Sequence, residues 1–392
     1  MTSIQQPTIP SFARIQPEEA TPATAAVTTP KSAPPLKFAA ENEFMHTLRK
    51  RIDALFEGTG RRKRDCWQMY VKSAVLMTAF VTSYLALLFV VTTWWQAVPI
   101  AAFLGLVLAG IGFNIGHDGG HNGYSEKGWI NKIAAMSFDL IGGSSFQWHW
   151  KHGVFHHTYV NISGHDTDIE TGILGRLSPQ QPRYWFHRFQ HIYLWPLYGM
   201  LAMKWQIFDD WNDIIRGRIG EHKVRRPRGK DLFIFVAGKL VAYTFMFVIP
   251  MLLHPVLSVL GLYVVAMFCM GVAMSVVFQL AHVVEDAEFP MPVGDTNKME
   301  NAWAVHQIET TVDFARDSKI CSWLMGGLNF QIEHHLFPKI CHINYPEMSK
   351  VVEQTCKEFG VRFSEHKTFR SGVASHYRWL KKMGQPEVTP AM

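Results

Sequence analysis

The sequence predicts an all-α integral membrane protein: four transmembrane helices in two hairpins, with interfacial helices and a cytosolic helical cap. Three observations predict it. Of the 392 residues 48% are hydrophobic and 13% aromatic while only 18% are charged, a balance that leans away from soluble domains. No Asp, Glu, Lys or Arg occurs from Ser73 to Gly116 or from Leu240 to Val284. One spanning helix needs about 20 apolar residues, so each run holds two spans and a tight turn. Third, the net charge of +6 is uneven, with Arg61-Arg62-Lys63-Arg64 before the first run and Lys223 to Lys230 before the second. Basic residues stay on the cytoplasmic side, so both hairpins start there, which puts the termini there too. These runs lie against membrane spans, where anionic headgroups are the nearer partner, and this makes a nucleic-acid reading weak; none is expected among the partners. The five cysteines show no CxxC spacing and read as reduced thiols.

Residues 1–38, rich in Pro, Thr, Ala and Ser, lack both apolar periodicity and a signal-peptide core, and are expected to be a disordered tail. The remaining chain, 39–392, reads as one membrane domain. Glu41 to Phe56 has apolar residues at helical spacing among charges, the pattern of an amphipathic helix lying at the interface or of an ordinary surface helix. Spans are expected at 72–95 and 98–116, separated by a Trp-Trp-Gln-Ala-Val-Pro turn ending at Pro99, and at 232–253 and 256–281, separated at His254-Pro255. Lys239 is close enough to the inner end of its span to snorkel. Ile133 to Phe146 is apolar but too short to span and fits a buried or re-entrant segment. Arg183 to Trp211 mixes aromatic and basic residues and reads as half-sunk helices. The polar cap is expected at 117–230 and 283–392.

Histidines concentrate where these spans end. His117 and His121 follow the second span at i and i+4, with Gly119-Gly120 between them, and a glycine pair in a helix points to close backbone approach. Trp148 to His157 places four of the 19 histidines within nine residues. On an α-helix, His149, His152 and His156 share a face. His282 closes the fourth span, and Gln331-Ile332-Glu333-His334-His335 lies beyond it. Eight histidines, His117, His121, His152, His156, His157, His282, His334 and His335, thus come from four separate stretches to one membrane face, with Gln331 beside the last pair. That exceeds the three or four ligands of a zinc site and suits two metals. Imidazole alone leaves iron, copper, zinc and nickel open. A site beside lipid points to hydrocarbon chemistry, which calls for redox metal and dioxygen. His165, Asp166, Asp168, His306 and His342 are candidates for outer hydrogen bonds to the ligands. A metal transporter would carry its ligands near the bilayer midplane, not at span ends.

The stretches His117-Asp118-Gly119-Gly120-His121, His152 through His156-His157, and Gln331 to His335 resemble the three histidine boxes of the membrane fatty acid desaturase family. The flanks Trp148 to Lys151, His157 to Ile162, Gln279 to His282 and His335-Leu336-Phe337-Pro338 are similar too, so that the resemblance covers roughly residues 72–360. Glutamine at the head of the third box resembles the front-end branch. The resemblance implies four spans under a cap and two iron ions (Fe2+/Fe3+), held by His117, His121, His152, His156, His157, Gln331, His334 and His335, with His282 outside the boxes. It does not count His149 as a ligand. It further implies dioxygen-dependent removal of two hydrogens from an acyl chain carried as acyl-CoA or membrane lipid. The His-Pro-Gly-Gly motif of a fused cytochrome b5 domain does not occur, so electrons are expected from a separate ferredoxin or cytochrome b5. The alternative is a related membrane hydroxylase or ketolase acting on a lipid.

Overall fold

The computed structural model describes residues 35–41, 43–294 and 296–386. Four helices are long and apolar enough to cross a membrane: Trp67–Val90, Trp94–Gly120, Lys230–Leu253 and Val256–His282. The first begins and ends about a turn earlier than its composition predicted. Its turn is Val91-Thr92-Thr93, extended at Val91 and Thr93. Trp94 and Trp95 therefore open the second span, and Pro99 lies inside that helix and does not break it. Pro99 is past the first turn, so it forfeits one i→i−4 hydrogen bond, a loss that membrane-spanning helices tolerate. The second span also continues through the first histidine box to Gly120, beyond the expected end at 116.

Burial distinguishes the spans. In the most apolar window of spans one and three 17% of residues are buried, against 67% in span two, so span two is enclosed by protein while one and three face outward. Spans two and four touch backbone to backbone, since a Cβ on Gly105 would stand 2.0 Å from the Ala266 carbonyl oxygen. Outward faces carry Trp67, Phe89, Leu240 and Leu252, all exposed.

The cap forms at the histidine-bearing ends of the spans. Helix Glu43–Thr59 buries Phe44, Met45, Leu48, Ile52 and Phe56. These pack on Met348, Val352 and Cys356 of helix Tyr345–Phe359. At about 1.5–3 kcal/mol per buried large apolar side chain, that face belongs to the protein core and does not lie on a membrane surface. The expected tail falls outside the described residues up to 34. Its last residues do not conform to the expectation, because Lys37–Ala39 is a strand pairing in parallel with Lys298–Ala302. The segment between the first two boxes folds as short helices, Gly128–Ala135, Ser137–Leu140 and Ser145–Trp148, which bury Phe138 and Ile141. Trp185–Phe189 and Gln190–Tyr198 expose Trp185, Phe189 and Ile192, and Met200 is exposed just before Leu201–Lys204. Helix Phe369–Gly384, capped by Thr368 and Ser371, closes over the end of span four.

Lys239 does not snorkel. Its side chain is buried, and Nζ donates to Asp210 Oδ2 at 2.8 Å, the Gly142 carbonyl at 2.8 Å and the Gln206 carbonyl at 3.1 Å. An ammonium has three N–H donors, and here every one is used. The lysine thus ties span three to the cap.

Candidate metal centre

The second histidine box folds as a π-helix, His149–His156. Its hydrogen bonds reach from i to i+5, so more residues complete each turn than in an α-helix. Residues four and five apart then share a side. His152, His156 and His157 come together and are buried, while His149 turns outward and is exposed. A second π-turn, Gly112–Gly116, immediately precedes His117 in span two. Gly119 and Gly120 do serve close approach: a Cβ on Gly120 would stand 2.1 Å from the Trp148 ring, and one on Gly119 2.6 Å from Ala134.

The eight histidines converge. Ring nitrogens of His117, His121, His152 and His334 lie within 4.8 Å of one another, as do those of His156, His282 and His335, and those of His157, His334 and His335. The result is two buried sets of imidazoles with His157 between them. His282, outside the three boxes, is in the second set. Gln331 begins the helix that carries His334 and His335, and its buried Oε1 has no partner among the described residues.

The outer ring nitrogens explain how the rings are aimed. Asp166, fully buried, accepts from His156 Nδ1 at 3.1 and 3.2 Å, and the Asp168 carboxylate stands 3.7 Å from His152 Nδ1 and 3.6 Å from His156 Nδ1. Gln307 Oε1 accepts from His335 Nδ1 at 2.9 Å, the Tyr345 hydroxyl meets His334 Nδ1 at 3.3 Å, and the Thr310 carbonyl accepts from His282 Nδ1 at 3.3 Å. With those nitrogens occupied, Nε2 is left facing inward. Among the described residues, Nε2 of His156, His282 and His335 is buried and has no partner, and the same holds for His121.

Two close pairs complete the test of fit. Nε2 of His334 and His157 are 3.0 Å apart, and Nε2 of His117 and His152 are 3.3 Å apart. Two ligands about 2.1 Å from one metal ion and roughly 90–110° apart stand about 3.0–3.4 Å from each other. Without a metal each pair can share one N–H···N hydrogen bond, its direction set by the tautomers, and with a cation between them both nitrogens can turn lone pairs to it. Burial, followed by the nearness of the other imidazoles, holds His121, His157, His334 and His335 well below the ordinary histidine range. They stay neutral, the state a metal ligand needs. The residues present fit a pair of metal ions.

Among the other candidates, His306 is buried against the Val160 carbonyl at 3.0 Å, and His165 packs on Tyr159 and His222. Neither shares a hydrogen bond with the eight. His342 contacts Asp118, next to His117. Sequence reasoning missed Gln307 and Tyr345, which lie outside any box. Their signal would have been position alone, in helices that happen to pack against the third box.

Four helices long and apolar enough to cross a membrane, with buried histidine clusters at one end that could hold metal, set the class of protein. Residues 92–367 match the fatty acid desaturase family. Over 351 residues, 89% of this chain and 95% of the relative, the chain is 37% identical to a protein of Arthrospira platensis named sn-1 linoleoyl-lipid 6-desaturase. It is also 37% identical to an acyl-lipid (8-3)-desaturase of Physcomitrium patens, covering 89% of this chain and 73% of that one. A protein of Dictyostelium discoideum named Delta(5) fatty acid desaturase A is 30% identical across 89% of this chain and 76% of its own length. The chain belongs to the fatty acid desaturase family, and it is an oxidoreductase of that kind.

Proposed function

We propose that the chain is a di-iron, dioxygen-dependent acyl-lipid desaturase that acts on the carboxyl side of an existing double bond. The observation that carries this reading is the pair of buried imidazole sets, with inward Nε2 atoms, at the inner ends of spans two and four. His117, His121, His152 and His334 would hold one iron, and His156, His282 and His335 the other, with His157 and Gln331 completing the set. Bound there, iron would supply the activation of dioxygen, which takes two electrons, two protons and two substrate hydrogens to give a carbon–carbon double bond and two waters. The protein's own part is geometric. Asp166, Asp168, Gln307, Tyr345 and the Thr310 carbonyl fix the rings, and buried surroundings exclude bulk water. Methylenes are chemically alike, so only the placement of the chain beside the centre selects a position.

The substrate is proposed as a membrane glycerolipid, in keeping with relatives named for linoleoyl-lipid and acyl-lipid desaturation. A separate electron donor, a ferredoxin or cytochrome b5, is part of the same reading. So is the cytoplasmic placement of the centre and both termini, supported by the basic runs before spans one and three. Expression in a host fed linoleate, followed by mass spectrometry of its lipids, tests the proposal. A C18 triene with a new double bond on the carboxyl side is expected, and a hydroxy or keto product would refute it.

A further inference from the structure

Four of the eight histidines, His156, His282, His334 and His335, are aimed by a hydrogen bond at the outer nitrogen, and His152 Nδ1 stands 3.7 Å from Asp168, but the first box is not held this way. Among the described residues, Nδ1 of His117 and of His121 has no hydrogen-bond partner. His157 shares that lack, yet its backbone is held, because Trp303 Nε1 donates to its carbonyl at 3.2 Å. The aim of His117 and His121 is left to ring packing on Trp148, at 5.7 and 4.9 Å between centroids, and to the backbone that carries them.

Between the two lies Asp118, buried and turned away from the centre. Its Oδ2 accepts from His342 Nδ1 at 2.9 Å and from the His342 backbone N–H at 3.3 Å. On the far side of that ring, His342 Nε2 lies 2.9 Å from Lys72 Nζ. Lys72 and His342 are each 3% exposed, and the Lys72 ammonium sits over the Trp323 ring at 5.4 Å. An ammonium can only donate, so Nε2 accepts, Nδ1 carries the proton, and the proton points at the carboxylate. The chain Lys72–His342–Asp118 is thereby a buried, internally neutral clamp. It joins span one, the first box and the segment after the third box. Asp118, Cys341 and His342 have the spacing of a metal group. Both nitrogens of His342 are already engaged, so the group is a clamp and not a third metal position.

We propose that His342, backed by Lys72, is a positioning residue that sets the first-box helix through Asp118 and so governs one of the two metal positions, the one formed by His117, His121, His152 and His334. The His156, His282 and His335 position has its own outer partners and does not depend on the clamp. This rests on the two-metal reading above.

The test measures metal per chain in purified, detergent-solubilised protein by plasma mass spectrometry, together with chelator competition. Wild type is expected to hold two metal ions. His342→Ala is expected to hold about one, its weaker position losing about 10–100-fold in affinity. His342→Asn, whose amide still donates to Asp118, should recover part of the loss. Lys72→Met removes the other end without touching a box and should weaken the same single position. Two ions at wild-type affinity in His342→Ala, or equal loss from both positions in His342→Ala and Lys72→Met alike, would overturn the clamp. Wild type without two ions would instead overturn the reading beneath it.

Discussion

Replacing Asp166 with Asn changes one atom and leaves the shape, which makes it the sharpest probe of how the second box is aimed. The carboxylate is fully buried and accepts four contacts. Oδ1 takes the Asp168 backbone N–H at 2.9 Å and His156 Nδ1 at 3.2 Å; Oδ2 takes the Asn161 backbone N–H at 2.9 Å and His156 Nδ1 at 3.1 Å. An amide supplies one acceptor and one donor, so whichever way it turns, its NH2 meets a backbone N–H at 2.9 Å. One buried N–H is then unsatisfied, at about 1–3 kcal/mol of stability. The charge that holds the Nδ1 proton is lost as well. Loss of such a partner typically weakens a metal site about 10–100-fold, or about 1.4–2.7 kcal/mol. Chelator competition on purified protein reads the affinity and thermal unfolding reads the stability. Asp168→Asn is the control: that side chain is 28% exposed and stands 3.6–3.7 Å from the rings, so its effect should be smaller. Wild-type metal affinity in Asp166→Asn, or a larger loss in Asp168→Asn, would refute the reasoning.

Three further outcomes are expected. His156→Ala should lose metal and turnover together, whereas His149→Ala, altering an exposed ring, should retain both; metal content and product formation are measured side by side. His306 and His376 are held down to about 4 by burial, each opposed only by a backbone hydrogen bond. The unfolded chain takes up these protons near pH 6.5, so the folded state loses stability as pH falls from about 6.5 to 4, by up to about 3 kcal/mol per histidine. Unfolding temperature followed across that window checks it, and a flat profile contradicts it. Finally, Lys127→Cys, on the histidine side, should be labelled only from the cytoplasm, and Leu257→Cys, 84% exposed at the start of span four on the opposite side, only from the outer face; the reverse pattern would invert the topology.

Much of the fold was legible because spans are written in composition: absence of charge over 40 or so residues has few other meanings. Their ends were less legible. Trp94 and Pro99 look like a turn in sequence, yet the second helix starts at one and runs through the other, since a membrane-spanning helix tolerates the one ladder bond that proline removes. Lys239 reads as a snorkelling residue because its partner, Asp210, lies 29 positions back and on another helix. The histidines announced themselves by density, but their facing did not follow from α-helical spacing. Only the π-turn brings His157 in and sends His149 out, and no residue in His149 to His156 signals that register. The same holds for Gln307 and Tyr345, whose roles come wholly from tertiary packing. Gly119 and Gly120, by contrast, were readable, because a missing side chain between two ligands has a steric cause.

Iron content of the protein purified from cells able to make it active tests the central claim most directly. The account predicts two iron ions per chain, falling together with desaturase activity when His156 or His335 is replaced by Ala. Full turnover with one iron ion or none, or with zinc in its place, would contradict it.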